Sequence, residues 1–218
     1  MSNTLYLVFE YMEHDLAGLA ATPGFKLTEP QVKCYMRQLL SGLDHCHNRG
    51  VLHRDIKGVN LLLDNNGILK IADFGIATFF NPNQQNQRLT SRVVTLWYRP
   101  PELLLGATNY GAAVDLWSVG CILAELLSGK PIMPGRTEVE QLHKIFKLCG
   151  SPSEEFWVNQ KFSRATILFK PQHRYYRRCV NDVYKDFPTT ALALLDRLLA
   201  VEPDNRGTAA SALDSEGK

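Results

Sequence analysis

Apolar and polar positions recur with different periods along this chain, and the changes of period mark its elements. Residues 5–11 (LYLVFEY) are apolar and aromatic almost without a break, which predicts a buried strand. Loop chemistry follows at Pro23 and Gly24. Thr28 then opens a helix. Thr28-x-x-Gln31 has the form of a capping box, and Pro30 falls in the first turn, where its missing N–H does no harm. Val32, Tyr35, Met36, Leu39, Leu40 and Leu43 recur at helical spacing, and Gly50 closes the run. Tyr35 and Met36 read as core packing.

The next segments are shorter. Val51 and Leu52 are apolar, and residues 61–63 and 68–71 flank Asp64-Asn65-Asn66-Gly67. That pattern predicts a hairpin, with Asn-Gly supplying the positive φ angles of a tight turn. Residues 79–92 are polar, rich in Asn and Gln and without a period, so an exposed loop is expected. Residues 114–127 are helical in pattern and very apolar, ending at Gly129 and Pro131; such a helix is buried nearly all round. Thr137-x-x-Glu140 and Ser151-x-x-Glu154 announce two more helices, and residues 191–201 another. There is no internal repeat and no linker. The expected fold is α+β, mostly α, with one strand and one small hairpin.

Composition narrows the class without choosing a function. The chain has 218 residues, 45% hydrophobic and 21% charged, an ordinary globular balance. Lys plus Arg is 24 and Asp plus Glu is 22, a formal net charge of +2, which recommends neither a nucleic acid nor a membrane surface as partner. No apolar run approaches the roughly 20 residues of a membrane span. The opening MSNTLYLVFE lacks the basic region and cleavage site of a signal peptide. Five cysteines, odd in number and with no C-x-x-C pair, read as free and mostly buried thiols. Such thiols belong to a reducing compartment, cytosol or nucleus.

Four motifs carry chemistry. Residues 53–60 read His-Arg-Asp-Ile-Lys-Gly-Val-Asn, and Asp73-Phe74-Gly75 follows. Then come Thr95-Leu96-Trp97-Tyr98-Arg99-Pro100-Pro101-Glu102 and Asp115-Leu116-Trp117-Ser118-Val119-Gly120. Each alone is a weak signal, but four in this order are not coincidence. The set resembles the C-terminal lobe of the eukaryotic protein kinases. Residues 93–99, the Glu102-Leu103-Leu104-Leu105-Gly106 run and Lys130-Pro131-Ile132-Met133-Pro134-Gly135-Arg136 look like the cyclin-dependent kinase group, on its plant cyclin-dependent-like branch. The resemblance runs from residue 5 to about residue 213. It implies one partial kinase domain over residues 4–213, hinge plus C-terminal lobe, with no second domain.

What the resemblance implies is a serine/threonine kinase using ATP and Mg2+. Asp55 matches the catalytic aspartate and Lys57 the catalytic-loop lysine. Asn60 and Asp73 match the two magnesium ligands, and a hairpin between them would turn both toward one cleft. Hard oxygen donors suit that ion. Glu10 and Met12 lie on the hinge that holds adenine, Phe9 is the gatekeeper, and Asp15 lies by the ribose. Thr90 aligns with the activating phosphothreonine, in an activation loop over residues 79–90. Residues 94–99, Arg99 included, match a platform that favours proline after the target Ser or Thr. Glu102 and Arg206 match a buried ion pair, Asp115 an anchor of the catalytic loop, and Arg54 a phosphothreonine-pocket cation. His53 reads as a structural histidine rather than a base. Arg174, Arg177 and Arg178 read as a solvated face. The implied partners are proteins with Ser/Thr-Pro sites, the tail of RNA polymerase II among them, and a cyclin, with the nucleus favoured over the cytoplasm.

The chain departs from that pattern at its start. Only residues 1–4 precede the hinge segment, no two glycines form G-x-G, the first lysine is Lys26 and the first glutamate Glu10. The glycine-rich loop, the strand lysine, its glutamate and the main cyclin-contact helix are therefore expected to be missing. Thr78 stands where many of the group carry an arginine. The expectation is a truncated chain of weak activity and poor solubility alone. The alternative is a non-catalytic lobe that competes for substrates or partners.

Overall fold

The computed structural model describes residues 4–81, 87–159 and 175–215. Its first elements are short: β1 (His14–Asp15), α1 (Leu16–Ala20) and α2 (Glu29–His47). In α2 the Gln31 side chain reaches back to the Thr28 N–H at 2.9 Å, and Pro30 sits in the first turn as its missing donor allows. Val32, Met36, Leu39, Leu40 and Leu43 form its buried stripe.

Two small sheets follow. β3 (Leu61–Leu63) and β4 (Leu69–Ile71) form an antiparallel hairpin, with Leu62 opposite Lys70, and β1 adds to the free edge of β3. The turn differs from the expected tight Asn-Gly turn. Asp64 accepts from the Gly67 N–H, its side chain accepts from the Asn66 and Ile68 N–H groups, and only Gly67 has positive φ (79°). One left-handed glycine after an ordinary turn does the work, because the Asp64 carboxylate satisfies the loop's donors. β2 (Val51–Leu52) pairs with β5 (Thr78–Phe79), so the segment expected to be all loop begins with a strand.

The helical part encloses α4 (Ala113–Ser128). It is buried nearly all round, as its pattern predicts, with Trp117 fully enclosed, and it ends on left-handed Gly129. α3 (Pro101–Leu104) precedes it. α5 (Glu138–Cys149) is capped by the Thr137 side chain, which accepts from the Glu140 N–H. α6 (Glu154–Asn159), α7 (Val180–Val183), α8 (Thr189–Leu198) and α9 (Ala209–Ser215) complete the set. α2 and α8 pack on α4, and α9 packs on α2. Each large apolar side chain buried there contributes roughly 1.5–3 kcal/mol.

Four further expectations are corrected. Residues 5–11 form no strand, and the large apolar side chains at 5–9 and 11 are 71–92% exposed. A strand needs a neighbour for its backbone donors and acceptors, and no described strand lies beside this segment. The helix expected from Ser151 starts later: Ser153 accepts from the Phe156 N–H, while the Ser151 hydroxyl accepts from the Tyr176 N–H. The five thiols are free, but only Cys121 and Cys149 are buried; Cys34 is exposed and Cys46 and Cys179 intermediate. Arg178 is not on a solvated face. It donates to the Asp196 carboxylate at 2.7 Å and to the Cys149 and Leu199 carbonyls, while Arg177 pairs with Asp182 and Arg174 lies outside the described residues.

Candidate active site

The loop of residues 53–60 is held from below. Asp115, in the first turn of α4 and 1% exposed, accepts from the His53 N–H at 3.0 Å and the Arg54 N–H at 2.8 Å. The His47 ring, at the end of α2, lies 2.9 Å from the same carboxylate. This grip fixes Arg54 in the left-handed region at φ 68°, a conformation that costs a non-glycine residue on the order of 1–3 kcal/mol. His53 is fully buried. Its Nε2 faces the Ala72 carbonyl at 2.9 Å, its Nδ1 accepts from the Asp55 N–H, and Phe74 packs edge-on against its ring. Both ring nitrogens are thus committed to holding the loop.

Asp55 stands at the mouth of this loop. One carboxylate oxygen accepts from the Thr95 hydroxyl at 2.7 Å and the Thr95 N–H at 3.1 Å. The other lies 2.7 Å from the Lys57 ammonium and 3.3 Å from the Asn60 amide nitrogen. Burial pushes the Asp55 carboxyl up, but the Lys57 and Thr95 hydrogen bonds outweigh it and hold the group below its ordinary value. The Lys57 ammonium also reaches the Thr95 hydroxyl at 3.1 Å, so one threonine joins acid and lysine.

The hairpin β3–β4 brings the ends of the two motifs together. Asn60 precedes β3, and the Ala72 N–H, beside Asp73, donates to the Asn60 carbonyl at 2.8 Å. The Asn60 side-chain nitrogen donates to the Asp55 carbonyl at 2.9 Å, which leaves its amide oxygen as the donor atom for a cation. Asp73 is exposed, in the left-handed region at φ 60°, with one carboxylate oxygen accepting from the Gly75 N–H. One amide oxygen and one carboxylate fit magnesium, which keeps waters and phosphate oxygens as its other ligands. No cluster of three or more His, Cys, Asp or Glu side chains suited to a metal occurs among the described residues.

The residues expected at the nucleotide sit on the exposed N-terminal segment. Phe9 is 81% exposed. The Glu10 carboxylate pairs with Lys70 on β4 at 2.6 Å, Met12 is half-buried, and Asp15 caps α1 by accepting from the Gly18 N–H.

Downstream, Arg54 donates to the Ile76 carbonyl and to the Tyr110 hydroxyl at 3.1 Å. Tyr110 in turn donates to the Thr90 carbonyl at 2.6 Å, so Arg54 reaches the Thr90 segment through a phenol. Val94, a β-branched residue, lies in the left-handed region at φ 67°, and its carbonyl accepts from the Arg99 Nε at 3.0 Å. Arg99 also pairs with Glu138 at 2.6 Å. Arg206, 0% exposed, makes a bidentate pair with Glu102 at 2.7 and 2.8 Å and lies over the Trp117 ring at 4.9 Å. The sequence reading missed Tyr110 and His47 as members of this site, and gave Thr95 a place in the platform of residues 94–99 but not beside Asp55. Tyr110 carried a signal, since it stands five positions before the motif that opens at Asp115.

Comparison with known proteins agrees with this geometry. The family model for the protein kinase domain matches residues 1–216. A probable serine/threonine-protein kinase of Arabidopsis thaliana is 71% identical over 99% of this chain, which covers 30% of that protein. Cyclin-dependent kinase C-1 of Oryza sativa subsp. japonica is 57% identical over 98% of this chain and is 41% covered. The chain thus spans about a third of the length of these curated relatives. The crystal structure of the yeast RNA Pol II CTD kinase CTDK-1 complex contains a similar chain, with a TM-score of 0.87, 40% identity, 94% of this chain and 67% of that one covered. With this family match laid over the loop, hairpin and platform described above, the chain belongs to the protein kinase family, among relatives that are plant cyclin-dependent and serine/threonine kinases.

Proposed function

We propose that this chain carries the phosphoryl-transfer and substrate-selecting residues of a serine/threonine kinase that acts on Ser or Thr followed by Pro. The observation that carries the reading is the Asp55 carboxylate, held ionised between Thr95, Lys57 and Asn60. A hydroxyl nucleophile needs such an acceptor. Its oxygen bonds to the γ-phosphorus of ATP as the bond to the β,γ-bridging oxygen breaks, ADP leaves, and the hydroxyl proton passes to Asp55. Lys57 lies 2.7 Å from one Asp55 oxygen; drawn to the γ-phosphate, it would free that oxygen for the substrate hydroxyl. Asn60 and Asp73 would hold the magnesium, whose charge offsets that of the phosphates.

The proline preference has its own physical source. The carbonyl of left-handed Val94 is already engaged by Arg99, so it is a poor acceptor for an N–H from the residue after the target. Any residue but proline would bury an unpaired donor there, at a cost of about 1–3 kcal/mol. The cyclin-dependent relatives support a cyclin as partner. The yeast neighbour, a kinase of the RNA polymerase II C-terminal domain, makes a Ser-Pro-rich tail the first substrate to try.

The test offers isolated protein carrying this chain, with cyclin, magnesium and labelled ATP, a Ser-Pro peptide and its Ser-Ala twin. The expected result is transfer to the Ser-Pro peptide, at least tenfold faster than to its twin, lost in Asp55→Asn. Transfer that survives Asp55→Asn would overturn the reading.

A further inference from the structure

The platform of residues 94–99 does not stand alone. Arg99 uses Nε on the Val94 carbonyl at 3.0 Å and Nη1 on the Glu138 carboxylate at 2.6 Å. A guanidinium is planar and rigid, so two anchors at its two ends fix the plane of the group. Glu138 is the first residue of α5, where the helix dipole favours a carboxylate. One turn on, Gln141 is fully buried. Its oxygen accepts from the Gly135 N–H at 3.0 Å, and its nitrogen faces the Trp97 carbonyl at 3.5 Å. The circuit closes through the Trp97 indole, which donates to the Gly135 carbonyl at 2.9 Å. Gly135 is pressed against α5: a Cβ there would lie 2.6 Å from the Gln141 side-chain oxygen and 2.8 Å from its backbone nitrogen. Two residues of one helix, some 40 positions further along the chain, therefore clasp both ends of the segment that carries the strained Val94.

We propose that Glu138 and Gln141 are positioning residues for the residue after the target, setting the preference for proline through Arg99 and Trp97. The inference rests on the proline-directed reading above. Glu138 holds Arg99 against the Val94 carbonyl; without it the guanidinium can swing to solvent and uncover an acceptor for a non-proline N–H. Gln141 sets the height of the Trp97 turn over α5. Neither touches the phosphates or Asp55.

The experiment compares kcat/KM for the Ser-Pro and Ser-Ala peptides in wild type, Glu138→Ala and Gln141→Ala. Glu138 has a 60% exposed side chain, so its removal does not endanger folding. The ratio of the two peptides is the readout, since a merely structural loss lowers both together. Glu138→Ala is expected to reduce the ratio about 3-fold and Gln141→Ala about 10-fold, chiefly by improved use of the Ser-Ala peptide. If Gln141→Ala fails to fold, Glu138→Ala decides. An unchanged ratio in Glu138→Ala overturns the inference while leaving the proline-directed reading intact. A wild-type ratio near one overturns both.

Discussion

Two carboxylate–cation pairs in this chain are each 2.7 Å long and have opposite physical characters. Arg206 and Glu102 are 0% and 4% exposed at their side chains. All five guanidinium donors are used: two on Glu102, three on the carbonyls of Ala200, Ala113 and Val201. Desolvating that charge is costly, and only full satisfaction makes it tolerable. Lys57 and Asp55 keep 24% and 12% of their side-chain surface. A lysine there is a point charge on a flexible stem, free to exchange its partner. Burial with every donor matched makes a pair permanent, and partial exposure makes the same contact exchangeable.

Several substitutions would break or sharpen that contrast. The largest effect is expected from Asp55→Asn. It should lower kcat by about 10²–10⁴ yet shift Tm by only a few degrees, because its partners can be rehydrated. A collapse in Tm would mean that the two pairs are alike after all. Glu102→Gln is the mirror case. It leaves Arg206 charged and enclosed, and unfolding by urea should register a loss of about 3–5 kcal/mol.

Thr95→Val comes next. It removes the 2.7 Å hydroxyl from Asp55 and should lower kcat about 10-fold, with stability nearly unchanged. Tyr110→Phe should be the smallest. It cuts the link from Arg54 to the Thr90 carbonyl, and faster proteolysis after residues 88–92, with activity reduced about threefold, would register it.

Acidity gives an independent check. The folded Asp55 carboxyl lies below its ordinary value, so its contribution to stability is whole above about pH 4 and is lost as the pH falls through the folded value. The acid limb that Asp55 imposes on kcat/KM should therefore lie below about pH 4. In Thr95→Val that limb should move up. The difference between the two profiles cancels the titration of ATP, and no movement would remove Thr95 from the mechanism.

The helical body was readable from local signals. α4 followed from its very apolar helical pattern and Gly129, α2 from Thr28, Gln31 and its stripe, and the hairpin from two apolar runs around a turn. Local signals failed where a partner decided the outcome. Residues 5–11 are as apolar as any strand in the chain, yet lie exposed, because a strand is made by its neighbour. The Ser151-x-x-Glu154 pattern points to Ser151 as the cap, yet Ser153 takes that place. The loop at Tyr176, which engages Ser151, separates them.

At the site the division is the same. Asp55, Lys57, Asn60 and Asp73 stand within 19 positions, in two motifs that carry the resemblance to the protein kinases. Their order along the chain does not say that Asp115, 60 residues on from Asp55, grips the loop backbone, or that Thr95 joins acid and lysine. Nor does it say that Arg178, in a row of basic residues, is drawn inward by the free carbonyls of Cys149 and Leu199. Short-range chemistry, such as caps, turns and apolar periods, is written in neighbouring residues, because the groups that satisfy one another are only a few bonds apart. Thr95 and Asp55, Asp115 and His53, and Arg206 and Glu102 are 40, 62 and 104 positions apart in the chain, and only tertiary packing brings them within hydrogen-bond reach.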